Sequence, residues 1–325
     1  MTPNSKLVTV FGASGFLGRY VIRAMVAKGW RVRAAVRNPH VVPELKVIGN
    51  VGQVQLVQAN LRFPNSIAQA IEGADAVINL VGILFESGRQ SFEALHADGP
   101  DLIASTCAEA GIANLVHVSS IGADIGSDSD YARTKADGET RLLEHVPSAD
   151  IHRPSLIFGV EDEFFNRFAS LSAFAPALPL FGGGQTKFQP VYVEDVAKAV
   201  AESVVRGTTG QIYELGGPRS YSFKELLKFM LGVIDKKRLL LPMPWFAANI
   251  MGFMGELSGA LPFVKPFLTR DQVKSLKLDN LVSDDAIGFE AFGIKPKTIE
   301  SIVPDYLSKY RKYGEFYEKR DILED

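Results

Sequence analysis

The chain has 325 residues, 46% of them hydrophobic, with a single cysteine and a formal net charge of -2 from 35 basic and 37 acidic side chains. That length carries one large α/β domain or one such domain with a smaller companion. The balanced charge excludes a basic face for nucleic acid, and Cys107 alone excludes an intramolecular disulfide or a cysteine-cluster metal site and implies a reducing compartment. The histidines, His40, His96, His117, His145 and His152, show no ligand spacing with acidic residues, so no metal is expected.

The first strand is expected about six residues from Met1, which leaves no room for a signal or transit sequence and predicts a cytoplasmic start. From Val8 to Gly18 the chain reads VTVFGASGFLG, a β-forming run that breaks into Gly12, Gly15 and Gly18. After a strand and before a helix, glycines at this spacing permit a tight turn, let a pyrophosphate approach the main chain and let the helix pack on the strand. The helix from about Phe16 to Lys28 would point its free N–H groups at the phosphates. A second strand, Arg31 to Val36, completes a βαβ unit and ends at Arg37, where an NAD site usually carries an acidic residue for the ribose hydroxyls. An arginine there favours the 2′-phosphate of NADP.

A third strand is predicted at Gln53 to Gln58, then Asn60 and Leu61 near the adenine, and a serine-capped helix from Ser66 to Ile71. The apolar strand Ala76 to Leu80 ends in Val81 and Gly82, and Gly82 would let the chain pass close to a cofactor. One continuous helix is expected from Phe92 to Ala110, stopped by Gly111, and a fifth strand, Leu115 to Val118, runs into Ser119 and Ser120. Tyr131 and Lys135, four apart in YARTK, share one helical face. An ammonium there lowers the phenol's pKa, so Tyr131 could exchange a proton with a carbonyl or alcohol that Ser120 hydrogen-bonds.

The second half predicts a short strand from Ile151 to Arg153 ended by Pro154, a helix from Phe164 to Phe174, a turn at Gly182 to Gly184, a strand from Phe188 to Val193 and a helix through Val205. Ser222 with Glu225 and Thr269 with Gln272 read as capping boxes. Leu239 to Val264 is the most apolar region, but its prolines and Glu256 prevent a spanning helix. Its Trp245 and Phe246 suit a headgroup boundary, and an exposed docking patch is expected there. The charged tail after Val303 reads as a surface helix or arm.

GASGFLG, NLVG, VHVSS and YARTK together resemble the short-chain dehydrogenase/reductase superfamily over roughly the first 155 residues. RPSLIFGVEDEFFNRFAS, LPLFGGGQTKFQPVYVEDVAKAV, GGPRSYSFKELLKF, LPMPWF and FLTRDQV extend the match to about Lys277, and there the chain is similar to the nucleotide-binding accessory subunit of respiratory complex I, the alpha-subcomplex subunit 9 family. The resemblance implies a doubly wound parallel-sheet Rossmann fold over 1–215, with 156–187 contributing partly to a smaller C-terminal docking domain at 216–325. It implies a structural NADP(H) held by Gly12, Ser14, Gly15, Phe16, Leu17, Gly18, Arg37, Asn60, Leu61, Val81, Gly82, Ser119, Tyr131, Lys135 and Pro154, with Ser120, Tyr131 and Lys135 a vestigial or alternative catalytic set. The implied place is the peripheral arm of complex I near the membrane and the quinone junction, beside other complex I subunits, with lipid contact through Trp245 and Phe246. That is the cytoplasmic face of a bacterial inner membrane, or the matrix side in a eukaryote. A catalytic NADP-dependent reductase, dehydrogenase or epimerase and an NADP-binding redox regulator stay open, because a fold shared with enzymes does not show turnover.

Overall fold

The computed structural model describes residues 5–259, 265–312 and 314 and divides the chain into two compact units. The first comprises Met1–Pro154, Glu194–Leu215 and Ser283–Lys295, and the second takes the intervening segments. The units therefore interleave in sequence.

The first unit is built on a parallel seven-stranded sheet. In chain order its elements are β1 (Leu7–Phe11), α1 (Phe16–Ala27), β2 (Arg31–Val36), β3 (Val54–Gln58), α2 (Pro64–Ile71), β4 (Ala76–Asn79), α3 (Asp98–Glu109), β5 (Leu115–Val118), α4 (Asp130–His145), β6 (Asp150–Pro154), α6 (Val193–Arg206) and β11 (Ile212–Leu215). The strand order β11-β6-β5-β4-β1-β2-β3 reverses direction of growth between β1 and β4, which is the doubly wound arrangement that the resemblance implied. Alternation along the strands feeds two cores. Val8 and Val10 pack with Ile22 and Met25 of α1 and Val200 of α6, while Phe11 and Val77 pack with Ile71 of α2, Ile103 of α3 and Leu142 of α4. Because both faces are covered, β4 (AVIN) and β5 (LVHV) are buried at every position.

Several elements differ from the sequence expectation. The α2 helix starts at Pro64, which supplies the fixed φ of a first helical position, and no side chain caps it; Ser66 Oγ instead donates to the carbonyls of Phe63 at 2.7 Å and Asn60 at 3.0 Å. The expected helix from Phe92 to Ala110 is interrupted by a π-helical turn, Glu93–Ala97, before α3. Pro154, expected to follow the strand Ile151 to Arg153, is itself the last residue of β6 and is paired with Leu215 of β11. It is accepted because it sits at the strand's end.

The second unit contains β7 (Ile157–Phe158), α5 (Phe165–Phe174), β8 (Ala177–Phe181), β9 (Lys187–Phe188), β10 (Val191–Tyr192), β12 (Tyr221–Ser222), α7 (Phe223–Val233), β13 (Leu239–Met243), α8 (Trp245–Gly259), α9 (Arg270–Ser275) and α10 (Ile299–Leu307). The strand expected from Phe188 to Val193 is two short pieces divided at Pro190, which lacks a ladder donor. Both capping boxes form, Ser222 with Glu225 on α7 and Thr269 with Gln272 on α9. Gly182, Gly183 and Gly184 all have positive φ, and the Trp245 ring lies over Gly182, leaving no room for a Cβ. β13 went unread from sequence; it pairs in parallel with β8 although Pro242 faces Leu180. Ala260 to Val264 of the apolar region and most of the tail after Val303 lie outside the described residues.

Candidate functional site

In the first unit the C-terminal ends of the sheet strands bring the sequence-selected residues to one edge. Gly12 follows β1, Arg37 follows β2, Asn60 lies two residues past β3, Val81 and Gly82 follow β4, Ser119 and Ser120 follow β5, and Pro154 closes β6. A crevice at this edge, beside the point where strand order reverses, is where open α/β sheets accept ligands.

The glycine turn is tight for three different reasons. Gly12 has φ +77°, and a Cβ there would stand 3.0 Å from the Leu80 carbonyl carbon. Gly18 lies inside α1, where a Cβ would come within 2.6 Å of the Ala13 oxygen and closer still to that of Gly12. Gly15 is exposed and caps α1 with φ -73°, its amide donating to Gly12 O at 3.0 Å. Its backbone is one that any residue adopts, so the left-handed conformation is required only at Gly12 and the close main-chain approach at Gly18. What Gly15 keeps open is space at the helix N-terminus. The first turn of α1 carries no acidic residue, and it includes Phe16 and Leu17, which are half-buried together with Ser14. This end is therefore suited to an anion.

Past β2 and β3 the chain forms a cavity of about 460 Å³ lined by polar groups, with Arg37, Asn38, Asn60 and Arg62 among them. It holds two guanidiniums and no carboxylate. Arg37 Nη1 donates to Gln90 Oε1 at 2.7 Å, and Arg62 lies over the Phe63 ring at 6.0 Å. Leu61, by contrast, is a core residue beneath Gly99, so its side chain is turned from this cavity into the sheet's helical cover.

The remaining residues converge beyond β4 and β5. Lys135 is 3% exposed and its Nζ donates to Val118 O at 3.2 Å; burial pulls it down to about 8, with Glu139 resisting. Burial raises the Tyr131 phenol, while the Ser120 hydroxyl facing it pulls the other way, although Ser120 Oγ has no partner in hydrogen-bonding geometry. Ser119 Oγ is likewise buried without a partner, and its amide is held by His152 O at 2.7 Å. Buried hydroxyls left open at a strand end are what a bound ligand would satisfy. The geometry can therefore hold an oxygen atom between a serine and a tyrosine, above a buried lysine.

Two residues were missed from sequence, His96 and Asn79. His96, in the π-helical turn, is 1% exposed; its Nε2 accepts from the Ile83 amide at 3.0 Å, and its ring stacks on Phe92 and meets Tyr131 edge-on. Burial and the Lys135 charge hold it neutral, down to about 2. The carbonyl of His96 occupies the space where Gly138 would carry a Cβ, so the π-helical turn can lie this close to α4 only because that position is glycine. Asn79 Oδ1 accepts from the Val81 amide at 3.1 Å and its Nδ2 meets His117 Nδ1 at 3.1 Å, which fixes the chain entering Gly82. The one polar residue closing an otherwise apolar strand was the available signal for Asn79; for His96 there was none, since π-turns leave no mark in periodicity.

A glycine turn after β1, a parallel doubly wound sheet and a Ser-Tyr-Lys group at the ends of β5 and α4 define a short-chain dehydrogenase/reductase type of nucleotide-binding fold. The NmrA-like family matches residues 4–136. The mitochondrial NADH dehydrogenase [ubiquinone] 1 alpha subcomplex subunit 9 of Mus musculus is 34% identical over 310 residues, covering 94% of this chain and 81% of the mouse protein. A ceramide reductase of Caulobacter vibrioides is 30% identical over 240 residues, covering 73% of this chain and 74% of that protein. The crystal structure of the Escherichia coli NADPH-dependent quinone oxidoreductase QOR2 complexed with NADPH shares the fold at 18% identity, with a TM-score of 0.72 over 92% of this chain and 99% of that one. The chain belongs to the family of the complex I alpha-subcomplex subunit 9.

Proposed function

We propose that the protein is an accessory subunit of respiratory complex I that holds NADP(H) as a structural cofactor, on the peripheral arm beside other complex I subunits and near the membrane. The 34% identity to the mouse subunit across 94% of the chain carries this reading. The comparison spans both units, including the second, where no catalytic residue was assigned. Native electrophoresis of membranes from the source organism tests it. Comigration of the tagged chain with NADH:ubiquinone oxidoreductase activity is expected, and a chain that runs alone at full expression overturns the assignment.

For the cofactor, Gly12 and Gly18 at positions where a Cβ would clash, the acid-free N-terminus of α1 and the cavity with two guanidiniums support a dinucleotide carrying a 2′-phosphate. Gly12, Ser14, Gly15, Phe16, Leu17 and Gly18 would take the pyrophosphate, Arg37 the 2′-phosphate, Asn60 and the main chain of Leu61 the adenosine side, and Val81, Gly82, Ser119, Tyr131, Lys135 and Pro154 the nicotinamide side. NADP(H) is expected to survive purification. Arg37→Glu removes a charge-assisted hydrogen bond and adds repulsion, so NADPH affinity should fall about 10- to 100-fold with NADH little changed. Mass spectrometry of the denatured protein reads both, and recovery of NAD alone refutes the role of Arg37.

The second unit supplies the docking face. Phe246 is 68% exposed and Ile250, Phe253, Met254 and Leu257 are exposed beside it on α8, while Leu239 and Leu241 are exposed on β13. Among the described residues no helix is long and apolar enough to cross a membrane; the side proposed is the cytoplasmic face in a bacterium or the matrix side in a eukaryote. Lys265 and Arg270, which follow α8, are paired with Glu163 at 3.0 Å and Glu256 at 2.8 Å, so the cations suited to a lipid interface are those that precede β13, Lys236, Lys237 and Arg238. Trp245, expected to anchor this face, is half-buried against Gly182 and serves the fold. The anchor passes to Phe246 and Phe253. Replacing both by Ser should move the subunit into the soluble fraction with its cofactor bound, and retention on membranes argues that α8 is not the contact.

A reductase reading draws on one observation, the intact Ser120, Tyr131 and Lys135 with partnerless hydroxyls at Ser119 and Ser120. Tyr131→Phe separates the two. Complex I turnover should stay within about twofold, whereas a reductase that needs the phenolic proton would lose about 100-fold or more.

A further inference from the structure

The loop from β4 to the π-helical turn closes on itself as a hairpin. Ser87 and Gln90 each donate their amide to the other's carbonyl at 3.0 Å, enclosing Gly88, whose φ is +57°, and Arg89. Glu86 Oε1 accepts from the Phe92 amide at 2.7 Å, so the hairpin is tied at both its ends and the Glu86 carboxylate is turned to the backbone. This register leaves Gln90 half-buried with Oε1 directed at Arg37 Nη1, 2.7 Å away. On the other side, Gln58 Nε2 donates to the Arg37 carbonyl at 3.2 Å.

We infer that Gln90 is a specificity-determining residue, a neutral acceptor that aims the Arg37 guanidinium at the 2′-phosphate of the bound nucleotide. The inference rests on the NADP(H) reading of Arg37. An exposed arginine carries about 2 kcal/mol of rotamer entropy, which a phosphate must otherwise suppress on binding. A guanidinium presents five N–H groups in one plane, and one bond to Gln90 Oε1 fixes that plane and leaves the rest for a ligand. The acceptor's neutrality is the essential property. A carboxylate would orient Arg37 as well but would cancel the charge that selects a phosphate. Among the described residues the side-chain bond of Arg37 goes to an amide and its carbonyl bond comes from an amide. Arg62, the second guanidinium of the cavity, is likewise set against a neutral group, the Phe63 ring. Both cations therefore keep their full charge toward the cavity.

The test equilibrates the full chain with equimolar NADPH and NADH and reads the bound ratio by mass spectrometry, for the natural protein, Gln90→Leu, Gln90→Glu and Arg37→Gln. The natural protein should retain mainly NADPH. Gln90→Leu should lower the NADPH:NADH ratio about 3- to 10-fold by freeing the guanidinium. Gln90→Glu, of the same shape, should lower it about 10- to 100-fold by pairing with Arg37 and repelling the phosphate. If Arg37→Gln lowers the ratio and both Gln90 variants leave it unchanged, Arg37 keeps its role and the inference about Gln90 is overturned. Equal loss of both nucleotides in the Gln90 variants overturns it too, since the hairpin would then hold the cofactor without discriminating. No preference in the natural protein removes the reading of Arg37 and the inference together.

Discussion

Lowering the pH from 7 to 5 is expected to cost the folded protein about 4 kcal/mol through His96 and His152 alone. Both imidazoles are buried and held neutral, His96 down to about 2 and His152 down to about 3, in each case chiefly by burial. In the unfolded chain they titrate near 6.5. The folded state therefore binds fewer protons below that value, and the stability present above it is lost as pH falls toward the folded values. At pH 5 each contributes about 2 kcal/mol of the loss. His117, fully buried and also pushed well below its ordinary value, adds in the same direction. Asp162, raised by burial, offsets part of this, whereas Lys135, down to about 8, is charged in both states throughout the interval and contributes nothing to the slope. Urea titrations at pH 7.0 and 5.0 measure the difference. Equal midpoints at the two values would show that the histidines are not neutral in the fold.

Gly18→Ala is expected to destabilise the protein by about 3 kcal/mol, the upper range for overpacking, because the added methyl meets main-chain oxygens of Gly12 and Ala13 and not movable side chains. Gly15→Val should behave differently. The nearest atom to a Cβ there is Gly12 O at 3.2 Å and the backbone is unstrained, so the fold should persist with a stability close to that of the cofactor-free protein. Its branched side chain would stand at the helix N-terminus and should reduce NADPH binding about 100-fold or more. Loss of the ligand then removes its mass-action contribution to stability. Chemical denaturation with and without added NADPH distinguishes the pair: Gly18→Ala lowers the baseline, and Gly15→Val abolishes the increment. A Gly15→Val protein that still gains stability from NADPH would place the phosphates elsewhere.

The sequence by itself determined the elements whose signal is local. Strand, glycine turn and helix at Val8 to Lys28, the apolar β4 and β5, the Ser222 and Thr269 capping boxes and the placement of Tyr131 and Lys135 on α4 all follow from spacing, φ requirements and side-chain reach over a few residues. The positions at the strand ends could be chosen for the same reason, since in a parallel sheet every strand's C-terminal end falls on one edge. Only the tertiary structure decided what depends on residues distant in the chain. His96 is a neutral partner of the Ile83 amide because the π-helical turn that carries it packs on α4 at Gly138. Arg37 has its orientation from Gln90, 53 residues further on. Trp245 became a packing residue because Gly182, in another segment, leaves room for its ring, while Phe246 beside it remained exposed. Hydropathy gives both aromatics the same preference for burial, and which of them is satisfied depends on which surfaces the fold brings against each, a condition the periodicity of one segment does not contain.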